Sequence, residues 1–366
     1  MRLFLMLFAL SSISLLATEV ASTEKATTCK ACHPTIYGEF QSSLHKKSSI
    51  KEDAIHKAVW DKHPAKAKGK YKCAKCHTPK NSSHQGITCL TCHTITDIKK
   101  HPMSNENIYE TKPKTFYSAE KGNENKKLIY KEKSSWFGLR NETTGSPYHD
   151  IDYTNEKYYT GEICMGCHSH KKNSHKFEVC STDIGGAKSK ESNCITCHMP
   201  KIAGTATSIR KTATHAFHGF AGARNSPEKL SKYVKLAYKR LDKGFEITIH
   251  NDTPHALFTH PLRVVELHTT LKRNGKSEAL KEHTFIKVIG TDNKPSMPWL
   301  ATQIIKDNMI KADEKRVVSF DKELRSGDEI EVVLGYRIAT KQAVKKLGLD
   351  EKMGDFIPLK SSYFKF

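Results

Sequence analysis

Hydrophobic and polar positions follow different rhythms in the two halves of the chain. Beyond Gly222, apolar residues alternate with polar ones at Val234, Leu236 and Tyr238, and again at Phe245, Ile247 and Ile249. A period of two marks a strand with one face buried, and Asp242-Lys243-Gly244 between the runs supplies a turn, so a β-hairpin is predicted. Similar runs follow at 263–272, closed by the hairpin turn Asn274-Gly275, and at 284–289, 316–320 and 329–336. Ala339 to Leu347 reads as a helix ended by Gly348. Several strands joined by polar turns predict a β-sandwich-like domain over 228–345, with 346–366 as a C-terminal tail.

Upstream, helical spacing replaces the alternation. Ile36, Phe40 and Leu44 recur every four residues, and Pro34 stands where a first helical turn tolerates it. The Lys- and Ala-rich stretch 46–72 reads as helical as far as His63-Pro64, whereas 94–150 is polar and reads as a loop-rich excursion. The fold class expected is therefore α+β multidomain, with a helical and loop-rich domain over 26–220 ahead of the β-sandwich-like one. Met1 to Ala17 carries Arg2, an apolar run from Leu3 to Leu10 and a Ser-containing break, the pattern of a secretory signal peptide. A membrane anchor needs about 18 or more continuous apolar residues. Ser11, Ser12 and Ser14 interrupt this run too early, and no later stretch is long enough. The mature chain is expected in the periplasm, without a transmembrane segment.

Onto the first domain the chain places one pattern five times: Cys29-x-x-Cys32-His33, Cys73-x-x-Cys76-His77, Cys89-x-x-Cys92-His93, Cys164-x-x-Cys167-His168 and Cys194-x-x-Cys197-His198. Each reads as an attachment site for a c-type haem. Two thiols at this spacing can add to the two vinyl groups of one porphyrin, and the next residue, His, reaches under the ring to the iron as proximal ligand. Disulfides, redox pairs and zinc ligands do not require a His after every second Cys. Residue frequencies alone predict about 0.02 such matches in the chain. Five covalently attached haems c are expected, and they also explain how a chain with only 37% hydrophobic residues fills its first domain. The leftover Cys180 is either a buried free thiol or an intermolecular bridge.

Of twenty His, five are proximal, so fifteen remain for at most five opposite axial positions. His45, His63, His84, His149, His215 and His218 are the candidates. His45 lies twelve residues from His33, about 18 Å along a helix, so it must serve a neighbouring haem. His149 follows a turn and precedes the fourth motif, and His215 and His218 are too close to bind the same iron. His250, His268 and His283 are expected at the surface. The loop Asn251 to Pro261 carries His255 and His260; by default it is structural, yet it can reach back to cap a haem, which would also bring in Arg263. Met165 and Met199 adjoin their own motifs and cannot reach the opposite face, so the surplus of His favours bis-His iron.

The formal net charge of +21 comes mainly from dispersed Lys without a nucleic-acid-binding motif. Nucleic acid is excluded as partner, and the expected partners are acidic or membrane-associated, quinol-linked redox proteins.

With these motifs in place, the chain resembles the multihaem c-type cytochromes of the cytochrome c-554 (c-552/4) family. The resemblance rests on Cys-x-x-Cys-His-Pro followed by Tyr37-x-x-Phe40-x-x-Ser43-x-His45, on Gly86-Ile87-Thr88 leading into Cys89, and on Cys194-Ile195-Thr196-Cys197-His198-Met199-Pro200. It implies haem binding across 26–220 and a distal-ligand role for His45. The absence of a Cys-x-x-Cys-Lys motif argues against a pentahaem nitrite reductase. Electron transfer is the first functional reading. The second is an oxidoreductase in which one haem lacks a distal ligand and takes a small nitrogen or sulfur species such as nitrite, hydroxylamine or a sulfur oxyanion.

Overall fold

The computed structural model describes residues 26–79, 86–111, 114–134, 141–182 and 189–366. The expected signal peptide and the candidate ligand His84 lie outside them. Among the described residues no helix is long and apolar enough to cross a membrane.

The first half is built from short pieces. Helix α1 (Pro34–Ser42) starts on its proline and buries Phe40. It stops short of Leu44 and His45 because Ser43 turns extended, its N–H held by the carbonyl of Phe40. Helix α2 (Ala54–Asp61) is capped by Asp53, whose carboxylate accepts the N–H groups of Ile55 and His56. Two-stranded ribbons such as Ile95–Lys99 with Glu106–Tyr109 fill the polar excursion. Among the described residues, eight hydrophobic side chains are buried between 26 and 220, against twenty-five from Ala221 onward. Eight are too few to close a core of this length, so the first half depends on some further apolar mass.

The second half has its own core. Strands β1 (Val234–Arg240) and β2 (Phe245–Asn251) form the expected hairpin, and β8 (Lys315–Phe320) pairs with the other edge of β2. The facing sheet runs β6-β5-β3-β9-β10, from β3 (Val264–Arg273), β5 (His283–Thr291), β6 (Lys294–Pro295), β9 (Glu329–Arg337) and β10 (Ile357–Lys365). Strand β4 (Lys276–Ala279) returns along β3 through Asn274-Gly275, both residues left-handed as that turn requires, and β7 (Gln303–Asp307) pairs with β5. Phe245, Ile247 and Ile249 of β2 are wholly buried and join one cluster with Leu267, Leu271, Ile330 and Leu334 of the other sheet. At about 1.5–3 kcal/mol each, those three side chains alone contribute roughly 5–9 kcal/mol.

The last residues depart from the expected tail. Ile357–Lys365 is a nine-residue strand along β9, and helix α3 (Lys341–Leu347) precedes it, capped by Thr340 and ended by left-handed Gly348. The two halves are joined at Asp53, whose carboxylate takes both Arg224 nitrogens at 2.5 and 3.0 Å, and at Ile55, which packs on the β core.

Candidate metal centres

Four of the five Cys-x-x-Cys-His motifs form about one helical turn, Ala74–His77, Cys89–His93, Met165–His168 and Cys194–His198, whereas in the first the helix Ala26–Cys29 ends at its leading cysteine and the rest is turn. Residues three apart share a helix face, so in these four each pair of thiols points the same way. Thr88 with Thr91, and Asn193 with Thr196, form reciprocal capping boxes that start two of the turns. The motif histidines are oriented from behind: Nδ1 of His33, His93 and His198 lies 2.9, 2.7 and 2.6 Å from the carbonyls of Ala206, Tyr117 and Ala221. A carbonyl only accepts, so Nδ1 carries the hydrogen and Nε2 keeps the lone pair a metal needs.

Four motif histidines face a second imidazole. His33 stands opposite His149 with ring centroids 6.3 Å apart, His168 opposite His45 at 6.0 Å, His93 opposite His218 at 6.2 Å and His198 opposite His255 at 6.1 Å. Metal–nitrogen bonds of about 2.0 Å on both sides, plus about 1.1 Å from each nitrogen to its ring centre, separate the centres by about 6.2 Å. The gap in each pair therefore fits one metal ion and is too wide for direct stacking. Burial lowers the pKa of His45 to about 3, with the neighbouring His168 adding to it, and that of His218 to about 4. Burial also lowers His149 and His255. All four facing rings are thus neutral at physiological pH, the form that ligates a metal.

His77 is different. Its neighbour His56 lies only 3.9 Å away, centroid to centroid, which leaves no room for an ion between them. The two Nδ1 atoms share the carbonyl of Ser48, and Nε2 of His56 is taken by Tyr71 Oη at 3.2 Å. Of the other candidates, His63 accepts the Ala65 N–H at the start of a 3₁₀ turn and stacks on Trp60. His215 has Nδ1 at the Gly204 carbonyl and Nε2 at Glu39 Oε1, so neither nitrogen is turned to a motif histidine. His255 was not among the six expected ligands. It is placed by wholly buried Asn251, whose amide donates to the carbonyls of His255 and Lys311 while its oxygen accepts from Thr253. The signal was the Asn-Asp-Thr-Pro-His turn.

A solved structure shares this fold. Over 95% of this chain and 100% of the other, the protein superposes on the crystal structure of a penta-heme cytochrome c552 from Thermochromatium tepidum, with a TM-score of 0.70 and 18% sequence identity. At that identity the likeness is one of fold. No protein-family model matches the chain, and no curated protein matches it.

The cysteines add an order to the motifs. None of the eleven is in a disulfide. Sulfurs of different motifs lie close enough to influence one another: Cys29 with Cys89, Cys76 with Cys167, and Cys164 with Cys194. Cys92 lies within electrostatic reach of Cys164 and Cys167. The first motif thus adjoins the third, the second and fifth adjoin the fourth, and the third bridges to the fourth. Cys180 sits half-buried in the strand Glu178–Ser181 with its thiol pKa raised by burial. The residues fit haem c. His168 makes the point locally, its ring accessible and set 6.0 Å from that of His45, a metal-wide gap.

Proposed function

We propose that the chain is an exported, periplasmic c-type cytochrome that carries electrons through five closely packed, covalently attached haems. The cysteine pairs would hold the porphyrins by thioether bonds, and His33, His77, His93, His168 and His198 would be the proximal ligands. His149, His218, His45 and His255 would close the first, third, fourth and fifth irons from the opposite side. The observation that carries this reading is the four imidazole pairs at 6.0–6.3 Å. The structural counterpart, a penta-heme cytochrome c552, agrees with it.

Haem, when bound, supplies the one-electron ferric–ferrous couple. The chain's own part is to keep the imidazoles neutral and oriented, to exclude water, and to bring the motifs into contact so that an electron entering at one end has a short path to the other. The Lys-rich surface suits an acidic or membrane-associated, quinol-linked redox partner.

A second reading applies to one centre. Because His56 stands too close to His77 to share a metal with it, and no other imidazole among the described residues pairs with His77 across a metal-wide gap, the second haem would keep an open face for a small nitrogen or sulfur species; His84 lies outside the described residues. Electron paramagnetic resonance of the oxidised holoprotein tests both readings. Four low-spin haems and one high-spin haem are expected; fewer than four low-spin haems would overturn the bis-His wire, and five would overturn the open centre.

A further inference from the structure

The loop that presents His255 continues to His260, which lies beside His77 of the second motif, and to Arg263, which lies beside Arg224 and Asp53. His260 is close enough to His77, Arg263, Arg224 and Asp53 to feel their charges. Its ring is accessible at the surface and so open to a ligand. His260 Nδ1 accepts the backbone N–H of Leu262 at 3.2 Å, which places the hydrogen of the neutral ring on Nε2. In that tautomer His260 is a hydrogen-bond donor and not a metal ligand.

Arg263 is half-buried, and its Nη1 is buried with no hydrogen-bond partner among the described residues. The nearest carboxylate that it senses, Asp53, is occupied by both Nη atoms of Arg224. Two guanidinium groups thus share one carboxylate, leaving a net positive charge in a buried site. An uncompensated buried charge is costly, so the arrangement calls for an anion. A cleft of about 460 Å³, lined by Lys47, Glu52, Asp53, Arg224, Tyr336 and Met353, meets the cluster at Asp53 and Arg224, and Glu52 is itself paired with Lys46.

We propose that the space beside His77 binds a small oxyanion, with Arg263 as its counter-charge and His260 Nε2–H as a second donor, entering through the cleft lined by Lys47 and Arg224. The inference rests on the open second centre and narrows its ligand. A guanidinium prefers a carboxylate-like oxyanion such as nitrite or sulfite, which it can hold through two parallel N–H bonds. A neutral molecule such as hydroxylamine leaves the charge uncompensated.

The test is spectroscopic and uses the five-haem holoprotein. Nitrite and sulfite are titrated separately against the oxidised protein while its high-spin signal is followed, and carbon monoxide against the reduced protein. The expected result is saturable conversion of the high-spin signal by at least one of the two anions. Arg263→Gln should weaken that anion at least tenfold, Arg263→Lys less, and both should leave carbon monoxide binding within about twofold of the parent, since it carries no charge to balance. His260→Asn should weaken the anion about threefold or more. Anion affinity that is unchanged in Arg263→Gln would overturn the inference, as would an equal loss of carbon monoxide binding, which would make Arg263 a structural residue. Absence of any high-spin haem would overturn the open centre itself, a different outcome from an open centre indifferent to Arg263.

Discussion

His77 and His56 share one hydrogen-bond acceptor, the carbonyl of Ser48, with their rings 3.9 Å apart. Every other motif histidine faces its partner across a gap wide enough for a metal, and this contrast separates four centres from the fifth. It also yields a substitution pattern. Replacing His45, His149, His218 or His255 by Ala should each convert one low-spin haem to high-spin. Replacing His56, His63 or His215 should convert none. Magnetic circular dichroism of the seven variants, counted per haem, checks the assignment; conversion by His56→Ala would restore a bis-His second centre.

Glu39 connects α1 to the segment that presents His218. Its carboxylate meets His215 Nε2 at 2.7 Å and accepts the backbone N–H of His218 at 2.8 Å, and both side chains of the pair are largely buried. Removing one partner of a buried pair costs about 3–5 kcal/mol, chiefly because the other is left unpaired. Glu39→Ala should therefore lower stability in guanidinium melts by roughly that amount and loosen the His93–His218 pair, seen as partial loss of one low-spin haem. Glu39→Gln, which keeps an acceptor for the His218 N–H, should retain the spin state.

In the β-sandwich the decisive polar contact is Arg273 with Asp328, bidentate at 2.8 and 2.6 Å, with the Arg325 N–H on the same carboxylate. The Arg273 hydrogen bonds hold the Asp328 pKa down at about 2, from an ordinary 3.8. A carboxylate whose folded pKa is depressed stabilises the fold above its unfolded pKa, and the contribution is lost as pH falls through the folded one. Stability should thus be flat with respect to this group above about pH 4 and decline between about 4 and 2. Thermal unfolding followed in that window should show the decline in the parent and a shallower one in Asp328→Asn.

The legible parts of the fold were those set by local chemistry. The β1–β2 hairpin follows from alternation and a turn ending in Gly244, and the β3–β4 turn from Asn274-Gly275. Strand β10 was not legible, since 346–366 was expected as a C-terminal tail. Pro358 is tolerated because β10 lies at the sheet edge, and the register shifts where it faces Gly335. The choice between His215 and His218 was equally hidden. It depends on Glu39, 176 residues earlier, which claims the His215 ring and only the backbone of His218. His255 depends on how the sandwich sits against the fifth motif, a relation no local pattern encodes.

Gly86 positions His45 through the backbone. It adopts a left-handed φ of +66°, and a Cβ there would lie 2.6 Å from the His45 carbonyl and 2.5 Å from that of Lys46. The next residue, Ile87, donates its N–H to the same His45 carbonyl at 2.9 Å. Gly86→Ala carries about 1–2 kcal/mol of left-handed strain, and the two backbone carbonyls it meets cannot rotate away as a side chain would. The segment bearing His45 must move instead, away from the register that sets its ring 6.0 Å from His168. The expected outcome is selective: loss of low-spin character at the fourth haem, with the His33–His149, His93–His218 and His198–His255 centres unchanged. A Gly86→Ala protein whose fourth centre remains fully low-spin would show that His45 is held by its own segment and not by this contact.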